Sequence, residues 1–138
     1  MNVTIIGLGL IGGSIAKDLR KAGFATRITG VDQDTDNSQE ALSIGLVDDL
    51  ADIDRGVENA NLVIVAIPVD AARMIIPAIL DAIDERTVVV DMGSTKHGLS
   101  IAVSGHHNRR SFVLSHPIAG TEDTGPRAAV EGLFARKV

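Results

Sequence analysis

The sequence has no cysteine, no tryptophan and no tyrosine, and only three phenylalanines among its 138 residues. Without thiols neither a disulfide nor a thiolate metal site can form, which fits an intracellular setting, and no metal site is predicted. With so few aromatics and a formal net charge of −5, the chain offers neither a base-stacking platform nor a phosphate-tracking basic face. Nucleic acid is therefore not an expected partner. Long hydrophobic runs are missing too: LVIVAIPV (62–69) is far too short to span a bilayer. The N-terminus enters a strand pattern with no basic segment ahead of it, so no signal peptide is expected. These absences predict a cytoplasmic protein with no membrane partner. The one basic cluster, HHNRR (106–110), reads as a solvated turn and is given no function.

A chain of this length predicts one domain over residues 1–138, which can bury about two thirds of its extended-chain surface. Apolar, β-branched runs recur at NVTIIG, RITGVD, NLVIVAI, TVVVDM and SFVLSH, most of them continuously hydrophobic, as strands buried on both faces are. Between them the apolar residues change to helical spacing. Ile11, Ile15 and Leu19 step by four, as do Ile75, Ile79 and Ile83. Such alternation predicts an α/β fold with a doubly wound parallel sheet. Pro77 interrupts the helical stretch 70–84 and predicts a kink or two short helices. The segment 46–59 is poorly signalled; it reads as a short third strand and a polar helix.

Four glycines, Gly7, Gly9, Gly12 and Gly13, crowd into seven residues between the first strand and its helix. Two glycines in a first helical turn cost about 2 kcal/mol against alanine, so a close approach to the backbone is expected there. Gly7-x-Gly9-x-x-Gly12 matches the dinucleotide-binding fingerprint of a Rossmann-like domain. In that pattern Gly7 permits the tight turn, Gly9 lets a pyrophosphate near the main chain, and Gly12 lets helix and sheet pack. The free N–H groups around Leu10 and Ile11, with the positive end of the helix dipole, would face the pyrophosphate charge.

Asp32, twenty residues past Gly12 at the end of the second strand, is the expected ribose partner rather than a plain helix cap. Asp32, Asp34 and Asp36 would repel a 2′-phosphate, and no Lys or Arg stands among residues 33–37. NAD is therefore favoured over NADP. No GxxxxGK[ST] loop and no GxSxG elbow is present.

Two further stretches fall where the fifth and sixth strands should end, DMGSTK (91–96) and SHPIAGTEDTGP (115–126). Ligands of open α/β sheets bind beyond the carboxyl ends of the strands. His116 lies there, and an imidazole of ordinary pKa, about 6.5, can take an alcohol proton as hydride leaves the same carbon. Position alone also leaves a structural role open to it.

The stretches IIGLGLIGGSIA, GVDQD, LVIVAIPVDAA, VVVDMGSTK and SHPIAGTEDTGP together resemble the prephenate dehydrogenase family, and the resemblance runs from Met1 almost to the last residue. It implies hydride transfer from the hydroxyl-bearing ring carbon of prephenate to NAD⁺, loss of carbon dioxide and formation of 4-hydroxyphenylpyruvate. On this resemblance His116 accepts a hydrogen bond from the ring hydroxyl, and Ser94 supports His116 and the nicotinamide. Ile67, Pro68 and Val69, ending the fourth strand, line the cofactor channel. Gly120, Thr121 and Glu122 belong to the loop bordering the substrate, Glu122 as a gate rather than a catalyst. Lys96 is assigned either to phosphate or to plain surface.

Two departures stand out. Family members often carry Gly-Gly before the His-Pro pair, where this chain has Leu114 and Ser115. The family also continues into a helical second domain that supplies dimer contacts and the basic side chains for the substrate carboxylates, whereas this chain stops at LFARKV. Arg127 and Arg136 are poor substitutes by position. The expectation is a truncated NAD-binding domain, weak or inactive by itself on prephenate. Arogenate dehydrogenase and a non-catalytic NAD-binding module are the alternatives.

Overall fold

A computed structural model describes residues 1–120 and 122–135. Six parallel strands run β1 (Asn2–Ile6), β2 (Arg27–Val31), β3 (Asp49–Leu50), β4 (Leu62–Val65), β5 (Val88–Asp91) and β6 (Phe112–Leu114). Their order across the sheet is β3-β2-β1-β4-β5-β6. The connecting helices are α1 (Leu10–Lys21), α2 (Thr35–Ser43), α3 (Ile53–Val57), α4 (Val69–Ala82) and α5 (His97–Val103). Chain order leaves β1 in one direction and resumes at β4 in the other, so the sheet has a switch point between β1 and β4.

The doubly wound expectation therefore holds, and the two core clusters follow from it. One gathers Val63, Val65 and Val89 of the sheet with Ala72, Ile76, Ile79 and Leu80 of α4 and Leu99 and Val103 of α5. The other gathers Val3, Ile5, Ile28 and Ile64 with Ala16 of α1, Ala41 of α2 and the following Leu46 and Val47. Strands buried from both sides need apolar residues at successive positions, which is why their runs do not alternate. The poorly signalled segment does contain a two-residue strand and a one-turn helix, started by the Asp52 carboxylate accepting the Arg55 N–H at 2.9 Å.

Of the two outcomes expected at Pro77, a kink or two short helices, the second does not occur: α4 runs as one element through the proline. The reason lies on its inner face, where Ala72, Ile76, Ile79 and Leu80 bury against the sheet on both sides of the proline. That burial outweighs one missing N–H.

Beyond β6 the chain crosses back over α1 and α2. A Cβ on Gly13 would lie 2.7 Å from the Ala129 Cβ, so the second glycine of the pair makes room for this strap. The Ser14 hydroxyl accepts the Val130 N–H at 2.9 Å, Lys17 donates to the Ala129 carbonyl at 2.7 Å, and Asp18 accepts the Gly132 N–H at 2.6 Å. Arg127 pairs with Glu40 of α2, and Lys21 with Glu131. No helix among the described residues is long and apolar enough to cross a membrane.

Gly13→Val should cost about 1–3 kcal/mol by overpacking, read as a lower midpoint in thermal denaturation, and Ala129→Gly in the same chain should recover part of the loss. A second expectation concerns acid. The Arg86 N–H, then the Thr87 hydroxyl, hold the Asp84 carboxyl below the usual carboxylate range in the turn that leads into β5. A depressed carboxyl stabilises the fold above its unfolded pKa of about 4, and that contribution is lost as pH falls through the folded value. Asp84→Asn should therefore narrow the drop in melting temperature between neutral pH and pH 3.

Candidate dinucleotide site

The chain leaves the sheet at one level on β1, β4 and β5. Gly7 N–H donates to the Val31 carbonyl at 2.8 Å, Ala66 to Ile6 at 2.7 Å and Met92 to Val65 at 2.9 Å. The loops after these strands thus share a rim at the carboxyl edge. Gly7 turns there with φ of 95°, and a Cβ on it would meet the Ala66 carbonyl oxygen at 2.4 Å, so both backbone angle and space demand glycine. A Cβ on Gly12 would lie 1.9 Å from the Gly7 carbonyl oxygen, a backbone clash that no side-chain rotation relieves. Gly9 differs. A Cβ there would meet nothing within 4 Å, so the main chain at Gly9 borders open space on the ligand side of the loop.

Helix α1 starts at Leu10 with Gly9 as its cap, no side-chain cap and no acidic residue in its first turn. Its leading N–H groups, those of Leu10 and Ile11 among them, therefore receive no side-chain cap, and a helix start of this kind suits an anion. Asp32 follows β2 directly. Its Oδ2 accepts the Leu8 N–H at 2.8 Å and its Oδ1 the Asp34 N–H at 2.9 Å, which leaves acceptor capacity on both oxygens. The capping of α2 falls to Asp34, which accepts from Asp36 and Asn37. Asp32 is thus the loop-facing carboxylate and Asp34 the helix cap.

Two hollows flank the switch point. One, about 480 Å³, is lined by Gly7, Asp32, Gln33, Ala51, Ile53 and Ile67. The other, about 240 Å³, is lined by Ile11, Ile67, Pro68, Val69, Gly93 and Ser94. Ile67 borders both, and the glycine loop lies between them. Ile67, Pro68 and Val69 do not end the fourth strand, as the sequence reading placed them: β4 stops at Val65, Pro68 caps α4 and Val69 is its first residue. They still line the hollow. Sequence reasoning missed Gln33, Ala51 and Ile53; the last two lie in the weakly periodic segment 46–59, and the one available signal for all three was position at the carboxyl ends of β2 and β3.

Ser94 and His116 follow the neighbouring strands β5 and β6, where Asp91 pairs with Leu114 in register. Both side chains are exposed, and no hydrogen bond joins them among the described residues. Gly120 and Glu122 are exposed further along the second loop; Thr121 lies outside the described residues. Lys96 is not plain surface: its ammonium sits 2.5 Å from the Asp91 carboxylate, which is fully buried. Arg127, on the strap, pairs with Glu40 of α2.

The HHNRR turn is structural. His106 Nδ1 accepts the Asn108 N–H at 3.1 Å, which leaves Nε2–H to donate to Asp81 at 3.2 Å. Asp81, His106 and His107 stand close together, but the two rings stack with planes 21° apart. Their in-plane lone pairs run side by side rather than converging on one ion, and the tautomer of His106 leaves no lone pair at Nε2.

Known proteins resemble this chain in sequence and fold. The chain is 37% identical to the prephenate dehydrogenase of Bacillus subtilis over 135 residues, which are 96% of this chain and 36% of that protein. It superposes on the structure of prephenate dehydrogenase from A. aeolicus in complex with hydroxyphenyl propionate and NAD⁺ with a TM-score of 0.85 at 30% identity, covering 99% of this chain and 48% of the other. Synechocystis arogenate dehydrogenase gives a TM-score of 0.82 at 27% identity over 99% of this chain and 48% of that one. The chain thus spans less than half the length of these relatives. The family model for the prephenate dehydrogenase nucleotide-binding domain matches residues 15–138, and to that family this chain belongs.

Proposed function

We propose that this chain is the NAD-binding, hydride-transferring part of a prephenate dehydrogenase. The observation that carries the reading is the main chain at Gly9, bare and facing open space, at the mouth of an uncapped helix between two hollows. A diphosphate fits that backbone, a ribose diol fits the spare lone pairs of Asp32, and the apolar wall of Ile53 and Ile67 suits a flat base. The second hollow, ending at Ser94, takes the nicotinamide end. When bound, the nicotinamide supplies a hydride acceptor.

The chain's own residues do the rest. His116 accepts a hydrogen bond from the ring hydroxyl and draws off its proton as the carbon bearing it gives up hydride. Ser94 closes the nicotinamide hollow and turns toward His116 once a ligand lies between the two loops. Carbon dioxide then leaves, the electrons of its broken C–C bond make the ring aromatic, and the ring oxygen takes its proton back from His116. The substrate carboxylates would be held by residues outside this chain, as the relatives' greater length supports. The similarity to an arogenate dehydrogenase keeps an amino-bearing substrate as the second reading.

Calorimetric titration tests the cofactor. NAD⁺ should bind, and NADP⁺ at least about 10-fold more weakly because its 2′-phosphate meets the carboxylates at 32, 34 and 36. Tight NADP⁺ binding with no response to NAD⁺ would overturn the assignment. Gly9→Ala should melt like the parent, since its methyl group meets no protein atom, and yet lose about 10-fold in NAD⁺ affinity. In a two-domain context, His116→Asn should abolish turnover and leave NAD⁺ affinity intact. Unchanged turnover would remove His116 from the chemistry, and parent chains that bind NAD⁺ without any turnover would favour a binding module.

A further inference from the structure

Among the described residues Asp91 is the single charged side chain that is buried, with an exposure of 0%. It ends β5, and its two oxygens go separate ways. Oδ2 accepts the Gly93 N–H at 2.9 Å and the Lys96 ammonium at 2.5 Å, so the loop that carries Ser94 wraps around it. Oδ1 accepts the Ser115 N–H at 3.3 Å, from the residue just before His116. Gly93 is pinned as well: a Cβ there would lie 2.7 Å from Val69 Cγ2 and 3.2 Å from Asp91 Oδ2. One carboxylate therefore ties together two loops whose functional side chains do not touch.

We infer that Asp91 is a positioning residue for the dehydrogenase site, its two oxygens setting the separation of the Ser94 and His116 loops and Lys96 neutralising the charge that this requires. The inference rests on the function proposed above for those two side chains. All the donors aimed at Asp91 are N–H groups, on two sides, and only a carboxylate accepts on both. An asparagine would satisfy one loop and turn its own NH₂ group toward the donors of the other. Burying a carboxylate with its cation brings no stability over a well-packed apolar pair, so the charge is best explained by the geometry it imposes. Ser115, which departs from the family's common glycine, still supplies the same backbone donor.

The test uses the isotope-labelled chain, with His116 resonances assigned through His116→Gln. In Asp91→Asn the Ser115 amide should exchange at least about 10-fold faster while the amides of Ile5 and Val63 keep their rates, and the pH titration of the His116 imidazole should move. NAD⁺ should bind several-fold more weakly, whereas ADP-ribose, which lacks the nicotinamide, should bind as in the parent. Asp91→Asn combined with Lys96→Gln leaves no unpaired buried charge and so keeps the fold testable; it should show the same loosening at Ser115 and His116. Parent-like exchange and titration in either folded variant would overturn the positioning role. A parent chain that binds neither NAD⁺ nor ADP-ribose would instead sink the proposed function, leaving the exchange result to decide on Asp91.

Discussion

The approach of α1 to the first loop is the constraint on which the rest of the molecule depends. With Gly12 against the carbonyl of Gly7, the first turn of the helix sits directly behind the turn that leaves β1. Any side chain at position 12 would push the helix off the sheet, and its uncapped N-terminus would no longer face the rim. Since the order in which the chain adds strands reverses between β1 and β4, that N-terminus lies in the crevice where loops diverge to either side. The proposed diphosphate site is thus a product of packing, made available by the absence of side chains at Gly7 and Gly12.

The second glycine of the pair serves a different neighbour. Gly13 lets the returning strap lie on α1, where Ser14, Lys17 and Asp18 hold it through backbone groups. Consecutive helical positions point about 100° apart, so one faces the strand turn and the other the strap. This explains why a single helical turn tolerates two glycines at a cost of about 2 kcal/mol. The strap also engages Arg127, which pairs with Glu40 of α2.

Charge is distributed by the same logic. Acidic groups near the first hollow are exposed or half-buried and keep spare acceptor capacity, which suits them to a neutral diol and against a further phosphate. On the other side of the switch point the buried carboxylate of Asp91 has its donors arranged around it, and Lys96 balances it. One half of the rim is thus shaped by acceptors held open, the other by a buried acceptor that ties two loops together.

Much of this was legible in the amino-acid order. Runs of β-branched residues, apolar steps of four and the glycine spacing specify strands, helices and the first loop through local sterics and burial, and these act over a few residues. Asp32 was legible for the same reason, as a fixed distance separates it from Gly12. Pro77 does not split its helix because its local preference is opposed by the burial of a whole helix face, and the hollow's wall at Ala51 and Ile53 went unseen because a one-turn helix carries too little periodicity. Only the tertiary structure decided what Gly13 and Lys96 touch, and that Asp91 reaches two loops 24 residues apart. Such contacts arise from the register of neighbouring strands, a property of the folded sheet that no short stretch of sequence encodes.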